Sequence, residues 1–373
     1  MSTTSIEERL RSVVSDKLKE VYGKNKSPEA TPKEKELPEA LFEDIPSLVE
    51  STCPAGRVKK YSELFGWDTS LGGKEDYDVA MYDVSDWDMN GQANIPKDDP
   101  DREIDHSVFY PFVRAVQEGL KVMLVGDPGT GKSTMAEVYC ARVNQPFLRI
   151  NGRRDMESDS LLGRPWMPEP GRMEYLLGEW PKATRDGWFV LVDEPWKIPA
   201  GIMMAAQRHM ERGGIWQLDD MPGETIKDKQ IVPKNSYRVV LADNVVGTGD
   251  NSDKYGATLI QDGSLLNRID IVLRVNYLGQ NKEAALIRRK YPFITETKAA
   301  QMVKLFSMLR AGFDQGEYSI AASPRNLFAW AEMAYLWKDY EYAFTLVMLN
   351  RYAETSEREA VKANYYTVFG KNL

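Results

Sequence analysis

The chain is short of the residues that would make it a disulfide-stapled, metal-clustering or membrane-spanning protein. Its 373 residues include 2 cysteines and 2 histidines. Cys53 and Cys140 stand far apart and in no metal-ligand or redox spacing, so no disulfide framework is expected and a reducing, cytoplasmic setting is. His106 and His209 are too few for a histidine-rich metal site. Apolar runs reach only strand length, as in Trp188–Val192, which argues against a membrane span. The opening MSTTSIEERLRSVV lacks the basic-then-apolar order of a signal peptide. Positive charge is also scarce, with 48 Lys and Arg against 56 Asp and Glu and a net charge of −8. That balance argues against passive wrapping of nucleic acid, although a local basic pore formed on assembly stays open.

What is present is a 42% hydrophobic composition, enough for a real core, over a length that suits roughly two domains with extensions. Ile6, Leu10, Val13, Val14, Leu18 and Val21 repeat at helical spacing and predict an amphipathic helix over residues 1–23. It either packs on its own domain or docks a partner. Residues 24–36 lack large apolar side chains and carry two prolines, the composition of a flexible linker. Residues 37–105 form a small region that turns strongly acidic after residue 75, with Tyr77, Tyr82 and Trp87 interleaved among the carboxylates. A solvated loop and a partner-binding segment are both compatible with that mixture. Asp83 and Ser85 match the start of an Asp-x-Ser-x-Ser metal site, but Trp87 occupies the third ligand position and rules it out.

From His106 the pattern becomes α/β. Strands are predicted at Val122–Val125, Phe147–Ile150, Phe189–Val192, Arg238–Ala242 and Ile271–Val275. Their near-continuous apolar character suits a buried parallel sheet. Beyond residue 280 or so the periodicity is helical to the end. Between the second and third strands, residues 153–186 are rich in Gly, Pro, Trp and Met and read as an insertion. Such a segment faces a pore or makes a surface excursion.

The chemistry begins at residues 121–134, KVMLVGDPGTGKST. An apolar strand, a glycine turn and Lys-Ser-Thr at a helix start fit G-x-x-x-x-G-K-[ST] at Gly126, Gly131, Lys132 and Ser133. The whole stretch Gly126, Asp127, Pro128, Gly129, Thr130, Gly131, Lys132, Ser133 and Thr134 is expected to bind nucleotide. Its backbone N–H groups cradle phosphate oxygens, and the helix N-terminus adds positive potential. Lys132 reaches the β- and γ-phosphates, and Ser133 sits on Mg²⁺. The strand ending in Asp193-Glu194 supplies the other two acids. Asp193 holds the metal, and Glu194 polarises the attacking water as general base. Asn244, at the carboxyl end of the next strand, is placed to orient water near the γ-phosphate. Arg268 precedes the last strand and Arg325 opens a helix, with Ser323 as its N-cap and Pro324 in its first turn. Guanidinium groups at these positions can grip phosphate oxygens and stabilise charge in transfer. The cofactors implied are ATP and Mg²⁺.

This order of motifs resembles the AAA+ ATPases. Residues 242–278 narrow the match, because Asn244, Val246, Gly247, Gly249, Asp250, Tyr255, Gly256, Arg268 and Asn276-Tyr-Leu278 look like the ATPase subunit of aerobic cobaltochelatase, a relative of the MoxR group. Ser323-Pro-Arg-Asn-Leu-Phe-Ala-Trp-Ala331 resembles that family's lid helix. The resemblance spans roughly residues 105–373. It implies an α/β core over 106–278, a five-stranded parallel sheet with helices on both faces, a helix-2 insert and a hairpin before sensor 1. A C-terminal α-helical lid over 279–373 completes the fold. By the same resemblance Asn244 is sensor 1, Arg268 an arginine finger offered to a neighbouring subunit and Arg325 sensor 2. A ring, usually a hexamer, and a von Willebrand A-domain partner protein follow from it. The function expected is ATP-driven remodelling or activation of a protein partner, with metal insertion as a narrower form. Two alternatives stand beside it: a nucleic-acid motor or loader, phage-encoded chains included, and a nucleotide-dependent scaffold.

Overall fold

The five apolar runs form one sheet. In the computed structural model, which describes residues 57–67, 74–99, 102–211, 213–246 and 263–373, β1 (Val122–Val125), β2 (Phe147–Asn151), β3 (Phe189–Asp193), β4 (Arg238–Asp243) and β5 (Ile271–Arg274) lie side by side. Their spatial order is β5-β1-β4-β3-β2, all parallel. The predicted amphipathic helix, the linker, Cys53 and the Gly247–Gly256 portion of the family motif lie outside the described residues.

Strand alternation sends each run to two cores. On one face Met123, Val125, Val190, Val192, Val239 and Leu241 pack with Trp180, Trp196 and Trp216. On the other, Val122, Leu124, Phe189, Leu191 and Val240 meet Phe109, Phe112 and Tyr139. Burying both faces explains why the central strands read as unbroken apolar runs rather than alternating ones. Each such side chain contributes roughly 1.5–3 kcal/mol.

The covering helices are α1 (His106–Gln117), α2 (Lys132–Val143), α3 (Glu179–Asp186) and α4 (Ala200–Gln207). The insertion is a short helix, Ser158–Leu161, followed by an antiparallel hairpin of Gly163–Glu169 with Arg172–Leu177. The hairpin expected before β4 pairs Trp216–Gln217 with Gln230–Ile231. Thereafter α5 (Gln280–Lys290), α6 (Glu296–Asp314), α7 (Pro324–Trp337), α8 (Tyr340–Val347) and α9 (Thr355–Phe369) enclose a separate helical core around Phe306, Trp330, Phe344 and Tyr365. No helix among the described residues is long and apolar enough to cross a membrane.

The aromatics of the acidic flank turn inward. Tyr77 joins the α1 face of the sheet core, and Tyr82 and Trp87 join the other. The Trp87 indole donates to the Asn144 carbonyl at 2.8 Å. These rings are therefore spent on the chain's own packing, and the carboxylates around them carry the solvated surface. Asp83 caps a short turn, accepting from the Ser85 amide at 3.0 Å and pairing with Arg57.

Candidate active site

Parallel strands put all their carboxyl ends on one edge, and the functional loops gather there. The loop after β1 turns at Gly129 (φ 82°) and Gly131 (φ 97°), in left-handed conformations that disfavour side chains. At Gly126 the reason for glycine is contact: a Cβ there would lie 2.0 Å from the Val275 carbonyl oxygen. A cradle that side chains would fill is what phosphate oxygens need to reach backbone N–H groups.

Lys132, at the first turn of α2, is 8% exposed. Its Nζ donates to the carbonyls of Gly126 and Asp127 and, at 3.0 Å, to Asn244 Oδ1. Burial pulls its ammonium below the usual lysine range, against the opposing pull of Asp193, Asp243 and Asp127, while Arg325 adds to the lowering. The Ser133 hydroxyl donates to Asp193 Oδ2 at 3.1 Å, across a sequence gap that the β1 and β3 ends close. Hydroxyl and carboxylate oxygens brought together beside a glycine cradle are the hard donors that suit Mg²⁺ carried by phosphate, so these residues fit the metal-nucleotide pair.

Glu194 has φ 55°, an unusual conformation for a non-glycine residue. Its amide donates to the Ala242 carbonyl at 2.7 Å, and Gly152 clears space for its carbonyl, since a Cβ at 152 would lie 2.1 Å away. Its carboxylate pairs with Lys197 at 2.8 Å. Beside it, burial raises the Asp243 carboxyl to about 6, although the backbone amides of Asn244, Trp196 and Val245 oppose the rise and Glu194 adds repulsion.

The helical region reaches the same edge. Ser323 caps α7 through a reciprocal pair with Asn326, and Pro324 occupies its first turn. Pro324 Cδ would lie 3.1 Å from a Cβ on Gly129, so the lid helix abuts the loop and Arg325 stands near Lys132. Between loop, α1 and lid lies a cavity of about 340 Å³ walled by Ile104, Val108, Phe109, Met135, Leu278 and Phe328. Apolar walls beside a phosphate cradle suit a planar base.

Lys132, Ser133, Asp193, Asn244, Glu194 and Arg325 are thus gathered at one edge, and Arg268 is not. Lys121, just before β1, accepts from the Asp270 amide and donates to the Asp270 carboxylate, which places the residues before β5, Arg268 among them, at the opposite edge. A four-residue strand separates the edges by roughly 13 Å. There Arg268 pairs with Glu211 at 3.0 Å.

Several residues of the site were assigned no role from the sequence. Arg149, on β2, pairs with Asp193 Oδ2. Tyr277 donates to the Pro128 carbonyl at 3.3 Å and lies under the Arg310 guanidinium, 4.0 Å from its ring centre. Arg310 in turn forms a two-pronged, buried pair with Glu283. Of these, only Tyr277 falls in a sequence motif, Asn276-Tyr-Leu278; Arg149, Glu283 and Arg310 meet partners far away in the chain and have no local signal.

Residues 121–260 match the family model described as AAA domain (dynein-related subfamily). The chain is 30% identical over 337 residues to the aerobic cobaltochelatase subunit CobS of a Sinorhizobium species, covering 88% of this chain and 94% of that protein. Midasin of Dictyostelium discoideum is 26% identical over 218 residues, 57% of this chain and 3% of that protein. Among solved structures, the Thermotoga maritima RuvB Holliday junction branch migration motor aligns with a TM-score of 0.40 at 13% identity, covering 70% of this chain and 69% of that one.

Proposed function

We propose that this ATPase acts as one subunit of a ring, hexameric by resemblance, that remodels a protein partner; the chain belongs to the AAA+ ATPases, in the family of the cobaltochelatase subunit CobS, and that membership is the premise. Bound Mg²⁺–ATP supplies an electrophilic γ-phosphoryl group whose charge the metal neutralises. The chain's residues do the rest. The Gly126–Thr134 loop holds phosphates by backbone N–H groups, Lys132 adds charge and Ser133 and Asp193 provide the metal-side oxygens. Glu194 takes a proton from the attacking water, and Asn244 orients that water. Arg325 approaches the phosphates from the lid.

One observation carries the ring reading: Arg268 lies at the sheet edge opposite its own phosphate loop. An arginine acting on phosphate from there needs a second copy of the chain. The intact Asp193, Glu194 and Arg268 set speaks against a passive scaffold, and the net charge of −8 against a nucleic-acid loader. A von Willebrand A-domain protein is the partner class we propose, metal insertion the narrower task, and the cytoplasm the setting.

Glu194→Gln tests the chemistry. It keeps ATP binding while turnover falls by about 10²-fold or more. Wild-type steady-state hydrolysis in that variant would reject the assignment. Light scattering with ATP and Mg²⁺ tests the ring; a particle still monomeric at micromolar protein rejects it. DNA-stimulated turnover would favour the loader instead.

A further inference from the structure

We propose that Arg149 is a cation latch on Asp193, held there while the site lacks metal and released when Mg²⁺ arrives with nucleotide. The proposal rests on the reading of Ser133 and Asp193 as the metal-side oxygens.

Asp193 Oδ2 accepts from the Ser133 hydroxyl at 3.1 Å and from Arg149 Nη2. One carboxylate oxygen therefore holds both the group expected to share the metal and a guanidinium. The strand register makes this possible. Asn151 pairs with Asp193 and Arg149 with Leu191, so Arg149 projects from the same sheet face as Asp193, two residues back along the neighbouring strand. The Asp193 side chain is 12% exposed. A carboxylate so poorly solvated needs a counter-charge in every state of the site. A guanidinium supplies it without metal, and a divalent cation at the same oxygen would repel the guanidinium.

Arg149 is able to leave. Its side chain is 37% exposed, on an edge strand, whereas Asp193 is fixed in the sheet. It borders an open cavity of about 300 Å³ whose rim includes Asn151, Ser160 and Glu179, polar partners for a displaced guanidinium. The consequence is a site that takes its metal only together with phosphate, because free Mg²⁺ must displace Arg149 unaided.

The test is a Mg²⁺ titration of fluorescent ADP binding, from EDTA to saturating metal, for wild type, Arg149→Gln, Arg149→Lys and Asp193→Asn. Arg149→Gln is expected to lower the half-saturating Mg²⁺ concentration about two- to fivefold, the range of a partly exposed ion pair. Arg149→Lys, which keeps the charge but loses the planar fork, falls between it and wild type. An unchanged or raised half-saturation in Arg149→Gln overturns the latch. Should that variant not fold, Arg149→Lys decides: a lowered value supports the latch and a wild-type value overturns it. Asp193→Asn separates the two ideas. A wild-type Mg²⁺ response there overturns the metal assignment itself, whereas a blunted response with an unaltered Arg149→Gln rejects the latch alone.

Discussion

The two edges of the central sheet differ in what they do with charge. At the carboxyl edge, Lys132, Asp193, Asn244 and Asp243 are drawn together, partly or wholly desolvated, by loops that end adjacent strands. At the amino edge, charge is spent on structure. Arg238 donates to the carbonyls of Val116, Asn235 and Tyr237, and Asp270 ties its loop to Lys121. Arg268 stands on that edge too, in an exposed pair with Glu211. The lesson is one of direction. A parallel sheet aims every loop that leaves its strands at one edge, so a charged residue's side of the strand decides whether it can join its own nucleotide site.

The sharpest way to break the comparison is to remove charge from the carboxyl edge. Lys132→Ala is expected to lower kcat/KM by about 10²-fold or more, since the proposed role of the lost ammonium is to face phosphate in a desolvated site. A change under tenfold, measured by steady-state ATPase assay, would place the phosphate elsewhere. The lid's hold on that edge comes next. Glu283 is 2% exposed beneath Arg310, which stacks on the Tyr277 that holds Pro128. Glu283→Ala leaves a buried guanidinium unpaired and should lower stability by about 3–5 kcal/mol in denaturant unfolding. It should also raise the KM for ATP.

Strand β4 offers a pH test of its two ends. At its carboxyl end Asp243 titrates near 6, above the ordinary 3.8 of an aspartate. Its contribution is fully present below the unfolded value and is lost as pH rises through 6. Asp243→Asn should therefore gain on wild type between pH 4 and 7, by up to about 3 kcal/mol. Just before its amino end, the Tyr237 hydroxyl contacts His209 at 2.8 Å, and burial depresses that imidazole to about 3. Its contribution has the opposite sign: present above 6.5, and lost as pH falls toward 3. His209→Phe should flatten the acid limb of a stability–pH profile, and Asp243→Asn should steepen it. The smallest effect belongs to Glu211→Ala. The carboxylate is 53% exposed, and its loss should change stability by no more than about 1 kcal/mol.

The sheet was legible because strands covered on both faces must be apolar throughout, and Val122–Val125 and Phe189–Val192 are. The phosphate loop was legible because its chemistry is local, with glycines, lysine and serine within eight positions. Arg149 was not, since its partner lies 44 residues away and an arginine in an edge strand has no pattern of its own. The Glu283–Arg310 pair escaped likewise, its partners lying 27 residues apart on two helices. The acidic flank misled in one respect: its charges suggested open solvent, while Tyr77, Tyr82 and Trp87 between them were packing the core.

In the proposed ring, each nucleotide site is completed by Arg268 from another copy of the chain. Mixing Arg268→Ala with Lys132→Ala, each expected to turn over far more slowly than wild type alone, tests this most directly. Equimolar mixing is expected to restore ATP turnover, because the intact loop of one subunit meets the intact arginine of the other. Turnover that stays at the sum of the two separate variants, in a mixture proved by cross-linking to contain both, would contradict it.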